Sequence, residues 1–280
     1  MKKTLLFLSV ALLSFGIKAQ VKTPQPSPTS KIEQVVGLTD VSVEYSRPSV
    51  KGRTIFGDLV PYDKLWRTGA NKNTQITFSD DVKVEGKELK KGTYAIFTKP
   101  GKENWEVIFY SDANNWGTPQ KWDDAKVGAK VTVKANTIPM NVETFTIMFS
   151  DFKMDSAIIN FLWANTEAAV KLEVPSKEKA IASIEKAMAG PSANDHYQAA
   201  TFYKAIGEIA KAKENIDKAI SIRKEPAFWY HRQQSLIYAK SGDKAGAIKA
   251  AKTSLELAEK AGNADYVKMN KDSIAEWGGK

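Results

Sequence analysis

Three arginines between residues 47 and 67 are the most informative chemical groups in this sequence. From Gln20 to Pro175 there are 17 lysines but only three arginines, Arg47, Arg53 and Arg67, and all three fall in one stretch interleaved with Phe56, Tyr62 and Trp66. A guanidinium presents a planar fork that matches carboxylate or phosphate through two parallel hydrogen bonds, and its stem lies well against aromatic rings. Arginine used where the surrounding sequence uses lysine points to specified geometry. Two readings follow. In the first, Arg47, Arg53, Tyr62, Trp66, Arg67 and Asn71, with Trp116 as a second stacking face, form a pocket for an anionic or sugar-like ligand. In the second, the arginines pin an irregular loop to a sheet through buried carboxylates or backbone carbonyls, a role that suits Arg47 best because it precedes Pro48.

Other chemistries are narrowed by absence. The chain has no cysteine and two histidines, His196 and His231, neither of them between Gln20 and Pro175. That stretch therefore lacks the parts for Ser-His-Asp or Cys-His nucleophilic catalysis and for ordinary zinc sites. His196 and His231 are 35 residues apart, without the short His-x-x-x-His spacing of a metal site, and read as equivalent packing positions of a repeat. No metal and no cofactor is called for. Carboxylates remain: Asp58 and Asp63, or the pair Asp123 and Asp124, are candidates for glycoside cleavage, which needs only two acids. Turn and N-cap aspartates are the simpler reading of all four. Asp112-Ala-Asn-Asn115 lacks the acidic density and closing glutamate of a calcium loop and reads as a turn.

The elements that must position these groups change character once. Up to Pro175 the apolar segments are short, alternating or β-branched: Val41–Tyr45, Thr74–Phe78, Val82–Glu85, Thr93–Thr98, Trp105–Tyr110, Lys130–Ala135, Val142–Phe149, Ser156–Trp163 and Ala168–Val174. Glu85-Gly86, Lys91-Gly92 and Pro100-Gly101 supply hairpin turns. Many short strands without intervening helical period predict an antiparallel β-sandwich or jelly roll over 31–175. Ser46–Asn73 is too long and charged for a hairpin loop, and long structured loops carry function.

After Pro175 the period is helical. Ser176 is a candidate N-cap, Gly190-Pro191 a stop, Gly207, Gly242 and Gly262 breaks, and Pro226 a first-turn residue. A shift of 35 residues aligns His196 with His231, Gln198 with Gln233, Tyr203 with Tyr238, Gly207 with Gly242 and Ala212 with Ala247. This internal repeat over 176–280 resembles the tetratricopeptide repeat, whose unit is about 34 residues. Ser254 stands where the first unit has Ala219, and His196 and His231 replace the usual tryptophan.

The N-terminus carries an address. Lys2 and Lys3, the apolar run Leu5–Ile17 and the small residue Ala19 have the order of a secretory signal, so residues 1–19 are expected to be removed. Pro24, Pro26 and Pro28 mark a linker over 20–30. The chain is then periplasmic or secreted. No later segment reaches the ~20 apolar residues of a membrane-spanning helix. Formal charge falls from +9 to +6 on loss of Lys2, Lys3 and Lys18, and most of it lies after Ser176. These lysines are spread singly, as on a solvated helix face, and do not call for nucleic acid.

One resemblance is specific. Val41-Ser-Val-Glu-Tyr-Ser-Arg-Pro-Ser-Val-Lys-Gly-Arg-Thr-Ile-Phe-Gly57, Leu59-Val-Pro-Tyr62, Trp66-Arg-Thr-Gly-Ala-Asn71 and Lys91-Gly-Thr-Tyr94 resemble the signature of an exported bacterial family catalogued as a domain of unknown function. Over roughly Pro26 to Pro175 the resemblance implies export and a β domain with a repeat tail. It implies no substrate and no catalytic residue. The expectation is an exported binding protein, with an anionic or sugar-like ligand such as a glycan on the β domain and a protein or peptide on the helices. The alternatives are a carboxylate-dependent enzyme of envelope carbohydrate and a structural factor in envelope assembly.

Overall fold

The computed structural model describes residues 23–278, so the expected signal over 1–19 lies outside the described residues. Among the described residues, nine antiparallel strands are followed by six helices. The strands are β1 (Thr29–Val36), β2 (Thr39–Ser46), β3 (Ala70–Phe78), β4 (Val82–Val84), β5 (Lys87–Leu89), β6 (Gly92–Pro100), β7 (Asn104–Tyr110), β8 (Val127–Ser150) and β9 (Ser156–Glu173). Their order in the sheet is β1-β2-β3-β6-β7-β8-β9-β4-β5.

Local chemistry explains the elements. In β2 the alternation buries Val41, Val43 and Tyr45 and exposes Asp40 and Glu44. The central strands β6 and β7 have no such alternation, because both faces are covered. Ile96, Val107 and Phe109 face the main core, while Phe97, Ile108 and Tyr110 form a second cluster under Leu65 and Trp122. Glu85 and Gly86, at φ 46° and 75°, make the tight turn between β4 and β5.

The sheet turns back on itself through β8. Its first part pairs with β7 as far as Lys134, and from Ala135 onward it pairs with β9. The core lies between the layers, and Tyr45 of β2 crosses it to the backbone of Ile147 in β8.

Several local expectations change. The two segments read as strands at Lys130–Ala135 and Val142–Phe149 are one strand, continuous through register shifts between Thr137 and Thr146, and the two segments from Ser156 to Val174 are likewise one. The proline-rich linker gives way to β1 at Thr29, where residues of alternating exposure pair with β2 as an edge strand. Ser176 does not cap the first helix. Pro175 takes that position, and the Ser176 hydroxyl accepts the Leu38 N–H at 3.0 Å, fastening the helix to the β1–β2 turn.

The helices are α1 (Ser176–Ala187), α2 (Ala193–Ala205), α3 (Ile209–Ile222), α4 (Phe228–Lys240), α5 (Lys244–Lys260) and α6 (Ala264–Glu276). A 35-residue shift carries the bounds of α2 onto those of α4. Gly207 and Gly242, at φ 83° and 84°, occupy equivalent turns after these helices. Pro226 precedes α4 and is not in its first turn. Ser192 and Asp195 form a reciprocal capping box at the start of α2. No helix among the described residues is long and apolar enough to cross a membrane.

Candidate functional site

The segment joining β2 to β3 is stitched to strands on both sides. The Val50 N–H donates to the Glu143 carbonyl at 2.7 Å, and the Phe145 N–H donates to Pro48 at 2.8 Å, so this segment pairs with β8 where β8 is irregular. Further on, Trp66 and Thr98 exchange backbone bonds of 2.7 and 2.9 Å, which continues the sheet beside β6 beyond the reach of β3.

The return into β3 is strained and held by buried hydroxyls. Thr68 is fully buried with φ 56°, a conformation that disfavours β-branched residues and costs on the order of 1–3 kcal/mol. Its hydroxyl bonds the Thr98 hydroxyl at 3.1 Å, and its carbonyl accepts from the Thr74 hydroxyl at 2.5 Å. Gly69 and Asn71, at φ 146° and 57°, complete the reversal. Trp66 is thereby fixed among aromatic rings. It stacks on Trp163 at 5.7 Å and 15°, and meets Phe56, Trp105 and Phe145 edge-on.

A cleft of about 380 Å³ opens over this cluster. Its cations are Lys51, Arg53 and Arg67; Pro48, Leu59, Val60, Trp66 and Trp163 supply apolar wall. Pro26 and Ser27 close one side, and no aspartate or glutamate contributes to the lining. Trp163 is 1% exposed, and its Nε1, a donor, has no acceptor among the described residues.

The three arginines are used differently. Arg47 donates from Nε to the Phe145 carbonyl at 3.0 Å and from Nη2 to the Thr146 hydroxyl at 2.7 Å, and does not line the cleft. Arg53 spends the same edge of its guanidinium on the Val50 and Ser49 carbonyls, at 3.0 and 2.6 Å. Arg67 donates only from Nη1, to the Asn71 carbonyl at 3.0 Å. Its Nε–Nη2 edge, the one that engages an oxyanion with two bonds, has no acceptor among the described residues. None of the three pairs with a carboxylate among the described residues.

Of the residues singled out in the sequence, Arg53, Trp66 and Arg67 meet in the cleft. Asn71 supports it from behind, bonding the Ser27 carbonyl and the Ser46 hydroxyl. Tyr62 lies against Gly57, with Lys102 over its ring, outside the lining. Trp116 is 75% exposed on a loop tied to Asn73, which bonds the Asn115 carbonyl and the Gly117 N–H. That loop passes beside Arg67, since a methyl group at Gly117 would lie 3.4 Å from Arg67 Nη1.

Lys51 and Trp163 were missed. Lys51 lies in the Lys51-Gly52 turn with nothing in its spacing to mark it, and Trp163 arrives from a strand about 100 residues away.

The family can now be stated. A family model described as a protein of unknown function, DUF2911, matches residues 27–172. The chain belongs to this family. The DUF2911 match begins just before β1, ends within β9 and contains the whole cleft apart from Pro26. Comparison with curated proteins and with solved structures gives no match.

The remaining candidate acids and the two histidines of this DUF2911 protein lie away from the cleft. Asp123 caps the short 3-10 turn Asp124–Lys126, and Asp124 accepts from Trp122 Nε1 at 2.9 Å. Asp63 and Asp58 lie outside the cleft lining. Asp112 pairs with Lys126 at 2.8 Å. His196 Nδ1 bonds Asn215 Oδ1 at 2.9 Å, and burial pushes the His231 pKa down, as at packing positions. A second cleft of about 370 Å³, between the β4–β5 hairpin and α1, is of mixed charge: Asp81, Glu88, Asp155, Glu173 and Glu178 share it with Lys83, Lys90 and Lys177.

Proposed function

We propose that this is an exported binding protein whose β domain holds an anionic or sugar-like ligand in the cleft beside Trp66, and whose helical hairpins hold a protein or peptide partner. One observation carries the ligand reading. The Nε–Nη2 edge of Arg67 is unspent, in a cleft with two further cations, two tryptophans and no acid. The bond from Nη1 to the Asn71 carbonyl holds the fork in place, so less side-chain entropy is lost when a ligand binds. Carboxylate-dependent hydrolysis at this cleft would need two facing acids, and its lining offers none. For the helices, support comes from the repeated hairpins α2–α3 and α4–α5, a plan whose stacked units generally present a surface to another chain.

Titration of the full chain with small carboxylates and with inorganic phosphate at low ionic strength tests the ligand reading. Arg67→Lys should weaken binding about tenfold or more while the fold persists, because a point charge cannot make the paired bonds. Lowered thermal stability with unaltered affinity would show Arg67 to be a loop pin only.

A further inference from the structure

The cleft asks for more than charge. An inorganic oxyanion is only a few water volumes in size, at ~30 Å³ each, and would leave most of about 380 Å³ filled with solvent against apolar wall. The space falls in the range of small-molecule sites, ~300–1,000 Å³. Two features point in different chemical directions. Arg67 presents a planar two-donor edge, which matches a carboxylate. Trp66 and Leu59, partly exposed, offer apolar surface for the C–H face of a ring.

A single ligand class meets both. We propose that the cleft takes a carboxylate-bearing pyranose, a uronic-acid type of sugar, with its carboxylate on the free edge of Arg67 and its ring against Trp66. This rests on the anion-binding reading above and narrows it. Lys51 and Arg53 add positive potential, partly offset by the Glu143 carboxylate that accepts the Lys51 N–H at 2.9 Å just outside the lining, and this favours acidic over neutral sugars. The same chemistry is presented by a free sugar acid and by one residue of an acidic polysaccharide.

Calorimetry on the full chain decides the class, with D-galacturonate, D-galactose, benzoate and inorganic phosphate as probes. Galacturonate should bind at one site, at least tenfold tighter than each of the other three. Arg67→Lys should weaken it about tenfold or more, and Trp66→Phe, which keeps an aromatic core, should weaken it by a smaller factor. Benzoate or phosphate binding as tightly as galacturonate, with the same dependence on Arg67, would leave an anion site and overturn the sugar. No binding by any of the anions would overturn both. A trigalacturonate arm separates the sources: affinity equal to that of the monomer identifies the free acid, and a gain of tenfold or more identifies the polysaccharide.

Discussion

The Tyr45 hydroxyl is bonded twice to one residue across the core, accepting the Ile147 N–H at 2.9 Å and donating to the Ile147 carbonyl at 3.3 Å. Both groups belong to β8 and are buried beneath β2. Tyr45→Phe removes one oxygen and strands a donor and an acceptor. Urea denaturation should show a loss of about 1–3 kcal/mol, well above the effect of a surface tyrosine.

Arg47 gives the contrast that isolates the cleft. Its two donors are spent on Phe145 and Thr146, so Arg47→Lys should lower the melting temperature. Affinity for the anions that respond to Arg67→Lys should stay the same. A loss of affinity in this variant, measured on folded protein, would mean that the strand closure on β8 shapes the cleft.

The helical part is fastened to the sheet by a titratable latch. Lys179 bonds the Leu38 carbonyl at 2.6 Å and pairs with Asp80 at 2.7 Å, while Thr39 also donates to Asp80. Burial raises the Asp80 pKa, but hydrogen bonds from Lys179, Thr39 and Ser79 outweigh it and hold the carboxyl below its ordinary value of 3.8. A lowered carboxylate pKa stabilises the folded state above the unfolded value, and that stability disappears as pH falls through the folded one. Wild type and Asp80→Asn should therefore differ clearly in melting temperature at pH 6, and the difference should shrink as the pH falls below 3.8. A constant difference across that range would remove the ion pair as its source.

Ser254 carries a buried relay that its counterpart Ala219 cannot. Its hydroxyl donates to the Phe228 carbonyl at 2.7 Å and accepts from Asn270 Nδ2 at 2.9 Å, linking α4, α5 and α6. Ser254→Ala should destabilise the last repeat and the closing helix by about 1–3 kcal/mol in a helical melt.

Much of this architecture is legible in the residues themselves. The 35-residue self-similarity sets the bounds of α2 and α4, and Glu85-Gly86 marks its hairpin because few residue pairs tolerate two positive φ angles. The path of β8 is not legible. The sequence reads as two strands, Lys130–Ala135 and Val142–Phe149, yet the strand runs on through the gap, and just beyond it Glu143 to Phe145 take the segment from Pro48 to Val50 as a neighbour, a pairing set by tertiary contact. The site divides in the same way. Arginine among lysines identifies Arg53 and Arg67, whereas which guanidinium edge stays free depends on carbonyls that only the folded loop brings near.

The near-parallel stack of Trp66 on Trp163 gives the cleft an optical property of its own. Two indoles whose ring centroids lie 5.7 Å apart share their electronic excitation, so their coupled transitions contribute to the ultraviolet circular dichroism beyond what isolated rings would add. Both rings line the cleft, and a molecule that enters it alters the field around each of them. Occupancy should thus be readable as a change in ellipticity on unlabelled protein, and Trp66→Phe, which abolishes the couple, serves as the blank.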